Sequence, residues 1–140
     1  MTDPHDLQRF VDAQAPVYPQ VLAELRHGRK QTHWMWFIFP QLAGLGHSAM
    51  ARRFALRSRD EAVAYLAHGI LGARLIECTA LVNAIEGRSI REILGSPDDL
   101  KFCSSMTLFA EVSSDPAFPG ALAKFYGGRR DQKTLDLLAG

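Results

Sequence analysis

Ser96-Pro97-Asp98-Asp99-Leu100-Lys101-Phe102-Cys103-Ser104-Ser105-Met106-Thr107-Leu108-Phe109-Ala110-Glu111-Val112 is the segment on which the fold turns. Its first four residues predict a helix start: serine at the N-cap, proline at the first helical position, and two carboxylates at the positive end of the helix dipole. The helix then runs to about Val112. Leu100, Phe102, Cys103, Met106, Leu108, Phe109, Ala110 and Val112 make it apolar almost all round, which predicts a central position. Its polar residues are therefore conspicuous. Ser104, Thr107 and Glu111 fall at i, i+3 and i+7, and Lys101 and Ser105 at i and i+4. On a buried helix such a strip must be hydrogen-bonded or line a wet cavity. The plainer alternative is local: hydroxyls bonding to carbonyls one turn back, and Lys101 extending its ammonium to water.

Working outward, helix signals recur and strand signals are scarce. Asp3-Pro4 reads as a cap followed by proline, with Leu7, Phe10 and Val11 on one face. Tyr18, Val21, Leu22 and Leu25 form the next stripe, which Gly28 ends. Ser48 can cap residues 49–56. Ser58 with Glu61, and Ser89 with Glu92, have capping-box spacing. Leu71, Leu75, Cys78, Val82 and Ile85 mark a longer helix, and Asp131 caps a last one. About eight short helices in 140 residues predict an all-α, compact single domain over residues 1–140, with helices too short for a simple four-helix bundle.

The other distinctive segment is His33-Trp34-Met35-Trp36-Phe37-Ile38-Phe39-Pro40-Gln41, which holds both tryptophans. Pro40 makes Phe39 its last possible helical residue. The block is either core centre or pocket floor, because its large rings favour burial while an imidazole, two indoles and a carboxamide need partners. His33, Gln41, Lys101, Ser104 and Thr107 all lie in segments that read as too apolar for the surface. They are expected to meet in one shared cavity.

A formal net charge of +1, with 47% hydrophobic and 22% charged residues, describes an ordinary globular protein and gives no sign of bulk attraction to nucleic acid or membrane. Residues 1–10 lack an apolar signal core, and the longest uncharged run, 32–46, is too short to span a bilayer; a cytoplasmic location is expected. Cys78 and Cys103 read as buried, reduced thiols. No metal-ligand spacing is present: His33, His47 and His68 fit no zinc pattern, and no metal or cofactor is expected. Gly44-Leu45-Gly46 is not a phosphate loop. Arg26, Arg29 and Lys30 beside the aromatics are the one feature that suits single-stranded nucleic acid.

Several of these blocks are familiar together. Residues 33–42, Gly44-Leu45-Gly46 with Ser48, Ala64-Tyr65-Leu66, Leu71-Gly72, Arg74-Leu75 and residues 99–109 closely resemble a bacterial family of unknown function whose members often carry the automatic label calpastatin. The resemblance spans about residues 6–138. It implies a mainly helical domain, with no established activity and no catalytic residues to carry over. A fainter similarity, in Asp99, Lys101, Met106 and Phe109, is to helical glycosidase domains associated with NAD and ADP-ribose, and stands as analogy.

The leading reading is a small-ligand domain, acting on a nucleotide or ADP-ribose-like molecule. Trp34 or Trp36 would stack a base, and Arg74 or Lys101 would neutralise a phosphate. Gln41, Ser48, Ser104, Ser105 and Thr107 would complete the binding set. His33, Asp98 and Asp99 are the acid/base candidates. The alternatives are a non-catalytic structural or protein-interaction module and, third, nucleic-acid binding. Substrate, reaction and oligomeric state are not legible.

Overall fold

The computed structural model describes residues 2–140, and its architecture is set by the helix at residues 98–112. In chain order the elements are α1 (Gln8–Gln14), α2 (Tyr18–Arg26), α3 (Met35–Ile38), α4 (Ala49–Arg53), α5 (Arg59–Ala67), α6 (Leu71–Asn83), α7 (Ile90–Leu94), α8 (Asp98–Val112), α9 (Ala117–Tyr126) and α10 (Gln132–Ala139). The fold is all-α, as its caps predict. Among the described residues there are ten helical segments rather than about eight, of which α3, α4 and α7 are only about one turn each.

α8 is central. Phe102, Met106, Leu108 and Phe109 are fully buried, and α5, α7, α9 and α10 pack around it. The core is threaded by rings in contact: Phe37 on Phe54, Phe54 on Phe10, Phe10 on Tyr65, Tyr65 on Phe109 and Phe109 on Phe118, with centroids 5.1–5.7 Å apart. Phe39 meets Phe102 edge-on at 4.9 Å, so the aromatic block does pack against the central helix. Such pairs contribute about 0.5–1.5 kcal/mol each beyond their buried area.

The start of α8 differs from expectation. Ser96 is exposed and caps nothing; Pro97 occupies the N-cap position and Asp98 begins the helix. The free amides of the first turn go to carbonyls instead. Asp99 N donates to Gly95 O at 2.9 Å, and Leu100 N and Lys101 N donate to Pro97 O. Gly95 has φ +81°, a conformation that glycine adopts without a Cβ penalty.

Other caps are altered in similar ways. Asp3 does bond the amides of Leu7 and Gln8, at 2.9 Å each, but the helix begins at Gln8, not beside Pro4. Ser58 accepts from Glu61 N, yet Glu61 does not complete the box: its buried carboxylate turns inward to Arg9 at 2.9 Å. The Ser89–Glu92 box is complete. Ser48 caps α4, which stops at Arg53 rather than Leu56. Leu56 instead exchanges backbone bonds with Gln41 and Ala43, an isolated parallel bridge. α5 and α6 meet at 88°, and no single helix among the described residues is long and apolar enough to cross a membrane.

Candidate functional site

The residue that organises the entry to the aromatic block is one that the sequence reading missed. Glu24 lies on the buried face of α2, beside Val21 and Leu25. Its Oε1 accepts from Gln31 N (2.7 Å), Thr32 N (2.9 Å) and Trp34 Nε1 (3.0 Å), and its Oε2 from Thr32 Oγ1 (2.6 Å). Burial alone would raise its pKa. The hydrogen bonds outweigh burial and hold the carboxyl at about 2. Trp34 is thereby sealed at 1% exposure and offers no face to a ligand.

Next to it, Lys30 ends 3.0 Å from Asp98 Oδ2 and 5.2 Å from the Trp34 ring centroid. Lys101 stands 3.8 Å from Asp98 Oδ1 and 5.7 Å from the Trp36 centroid. Asp98 is therefore an ion-pair partner for two lysines. At Asp99, Oδ1 is buried with no hydrogen-bond partner among the described residues, and the backbone carbonyl takes the Tyr126 hydroxyl.

The polar strip of α8 leads to a cleft of about 390 Å³ between the loop at Gln41–Gly46, the first turns of α8, the end of α9 and the start of α10. Gln41, Lys101 and Ser104, from three of the five positions expected to share a cavity, line it together with Leu45, Leu100 and Lys133. Thr107 lies behind the wall, where its hydroxyl accepts from Asp131 N at 2.9 Å. His33 is the exception. It is exposed and does not line the cleft, because α3 starts only at Met35 and no helical register links His33 to Phe37 and Gln41.

Asp131 is the hinge of this site and was read from sequence only as a cap. Its Oδ2 accepts from Thr134 N (3.2 Å), Thr134 Oγ1 (2.5 Å) and Ser104 Oγ (3.1 Å), so one carboxylate oxygen caps α10 and ties it to α8. Cys103 also lines the cleft and is half-buried, not buried as expected. Burial, then the nearby Asp131 charge, push its thiol pKa up, which keeps it protonated and a poor nucleophile at neutral pH. Cys78 is fully buried, and burial pushes it up to about 12.

The remaining candidates lie elsewhere. Arg74 stacks over Tyr18 at 4.5 Å and donates to Gln14 Oε1 at 3.3 Å, in a polar network that continues from Gln14 Nε2 to Phe37 O and Tyr65 Oη. Ser48 is an exposed cap, and Ser105 is buried with its hydroxyl unpartnered. A second hollow of about 370 Å³ carries Arg26, His27 and Arg88, but it lies at the carbonyl end of α2 beside Glu86, which opposes an anion. No group of three or more His, Cys, Asp or Glu side chains among the described residues could hold a metal ion.

Residues 4–138 match the pattern of a family described as "Protein of unknown function (DUF1810)". The chain belongs to the DUF1810 family. It is similar to a solved structure, a conserved hypothetical protein from Mycobacterium tuberculosis, at 60% identity over 99% of both chains with a TM-score of 0.97. No curated protein matches the chain. The DUF1810 membership agrees with the resemblance read from residues 33–42 and 99–109, and it supplies a fold without a reaction.

Proposed function

We propose that this DUF1810 protein binds a small anionic ligand of nucleotide or ADP-ribose-like type in the cleft beside α8. The observation that carries the reading is the pairing of Lys101 and Lys133 with an apolar shelf of Leu45, Pro97 and Leu100 in one cleft of about 390 Å³. A mostly apolar pocket with a few convergent polar groups is the usual form of a small-molecule site. The lysines supply charge for a phosphate, the shelf supplies a face for a planar ring, and Gln41 can both donate and accept at the ring edge. Leu100, not either tryptophan, is the apolar contact: it is 63% exposed at the lip. The reading is one of binding. Asp131 is the only carboxylate lining the cleft, and it is engaged in holding α10.

A protein-interaction module is the second reading, but a single exposed leucine is ordinary on a globular surface and does not mark an interface. The nucleic-acid reading has less support, because Lys30 is only 8% exposed and paired to Asp98.

The test is calorimetric titration with AMP at low salt. Wild-type protein should bind, and Lys101→Gln and Lys133→Gln should each weaken binding roughly tenfold, about 1.4 kcal/mol. No heat and no thermal stabilisation by millimolar AMP would overturn the proposal.

A further inference from the structure

Beside the cleft, across Tyr126 and Asp131, lies a second hollow of about 620 Å³, lined also by Phe125, Arg129, Arg130 and Gln132. Cys103, Tyr126 and Asp131 line both, so the two lobes adjoin across these residues, with Asp131 on the shared boundary, the saddle between them. Charge alternates along it: Lys101 and Lys133 on one side, the Asp131 carboxylate in the middle, Arg129 and Arg130 on the other. Arg130 is shared with Glu111, whereas Arg129 enters no ion pair among the described residues. At the saddle, all three hydrogen bonds to the Asp131 side chain go to Oδ2, and Oδ1 accepts none.

This pattern restricts what fits. A carboxylate oxygen is acceptor-only, so the middle of the ligand must be a donor. Two contiguous phosphates laid across the saddle would set negative charge against that carboxylate. Two anionic groups separated by a neutral, hydroxyl-bearing segment would instead meet cations at both ends and an acceptor between them. Carboxylates commonly take ribose hydroxyls in this way, and arginine suits phosphate through its paired N–H donors.

We infer that the trough is built for a nucleoside bisphosphate: one phosphate on Lys101 and Lys133, the ribose hydroxyl on Asp131 Oδ1, and the second phosphate on Arg129 and Arg130. The inference rests on the nucleotide-binding reading above and narrows it, since a contiguous diphosphate, ADP-ribose included, suits the saddle less well.

The experiment compares AMP, ADP and adenosine 3′,5′-bisphosphate by calorimetry on the full chain. The bisphosphate should bind at least tenfold more tightly than AMP, and ADP should gain less than threefold. The double variant Arg129→Gln/Arg130→Gln, at two exposed loop positions, should remove the bisphosphate's gain and leave AMP affinity unchanged. Asp131→Asn keeps an oxygen to cap α10 and turns the charge-assisted bond to the ribose hydroxyl into a neutral one, so it should reduce the preference for the bisphosphate over its 2′-deoxy form. Thermal melts of each variant check that the fold is retained. AMP binding with no gain from the second phosphate, or with an equal gain from ADP, overturns this inference and leaves the simpler reading standing. Absence of AMP binding removes the simpler reading and this one with it.

Discussion

Replacing Glu24 by glutamine separates the contribution of its charge from that of its shape. Three donors, the amides of Gln31 and Thr32 and the Trp34 indole, converge on Oε1, which a glutamine oxygen can still offer. Oε2 becomes an amide nitrogen facing Thr32 Oγ1 and Gln20 Nε2; the hydroxyl can turn from donor to acceptor, and the exposed Gln20 amide can flip to present its oxygen. What the substitution removes is the negative charge that strengthens every bond. The carboxyl is held at about 2 against an ordinary 4.5, and at about 1.36 kcal/mol per unit the ionised form contributes about 3 kcal/mol. Because the folded-state pKa is depressed, that contribution is fully present above pH 4.5 and is lost as pH falls through about 2. Glu24→Gln should therefore cost about 3 kcal/mol at pH 7, lowering Tm by roughly 10 °C for a domain of this size. The assay is urea denaturation of both proteins at pH 7, pH 4 and pH 2.5. The gap between them should be almost unchanged from pH 7 down to about 4.5 and narrow sharply between pH 4 and pH 2.5, while titration of the other carboxylates cancels in the difference. A gap below about 0.5 kcal/mol at neutral pH, within the scatter of ordinary surface changes, or one that stays constant with pH, would refute the argument that a buried, ionised Glu24 organises the segment.

Two helix starts give opposite outcomes: Ser89→Ala should cost about 1 kcal/mol, the usual loss of a cap, whereas Ser96→Ala should change the urea midpoint by less than about 0.5 kcal/mol, and equal losses would show that Ser96 caps α8 after all. Thiol titration of native protein should label Cys103 slowly and Cys78 only on unfolding, since one is half-buried and the other fully so; equal native labelling would contradict that difference. Ser105→Ala should be neutral or stabilising, because the hydroxyl is buried without a partner, whereas Ser104→Ala should lose about 1 kcal/mol with its bond to Asp131; a greater loss at Ser105 than at Ser104 would reverse the assignment.

The fold was legible because its signals are local. Ser48, Ser58, Ser89 and Asp131 do cap helices, and the glycines at 28, 95 and 127 stand at helix ends with positive φ. The failures are tertiary. Ser96 has the composition of a cap, but the turn at Gly95 brings a carbonyl to the amide that a cap would serve. Glu61 has capping-box spacing, yet Arg9, 52 residues away in sequence, claims it. Glu24 gave a usable signal: a charged residue on the apolar stripe of Val21 and Leu25 requires a buried partner set. Gln14, four residues after Phe10, gave the same signal. His33 misled because apolar neighbours in sequence do not bury a residue that precedes the helix rather than joining it.

The site was half legible for a related reason. The polar strip on α8 identified Lys101, Ser104 and Thr107, but the strip divides. Ser105 turns toward the core and finds no partner, and Asp99 Oδ1 is likewise buried and unpartnered. Ser104 and Thr107 turn the other way and both reach Asp131, one to its carboxylate and one to its backbone amide. One bond holds the carboxylate and the other the backbone amide beneath it, while Ser104 Oγ also lies 3.3 Å from Leu100 O, the carbonyl one turn back. With Oδ2 committed to Ser104 and Thr134, Oδ1 carries no hydrogen bond among the described residues. Sequence spacing shows that Ser104 and Thr107 share a helix face. It cannot show that a residue more than twenty positions later lies against that face, and that pairing is what makes the polar strip part of a cleft wall.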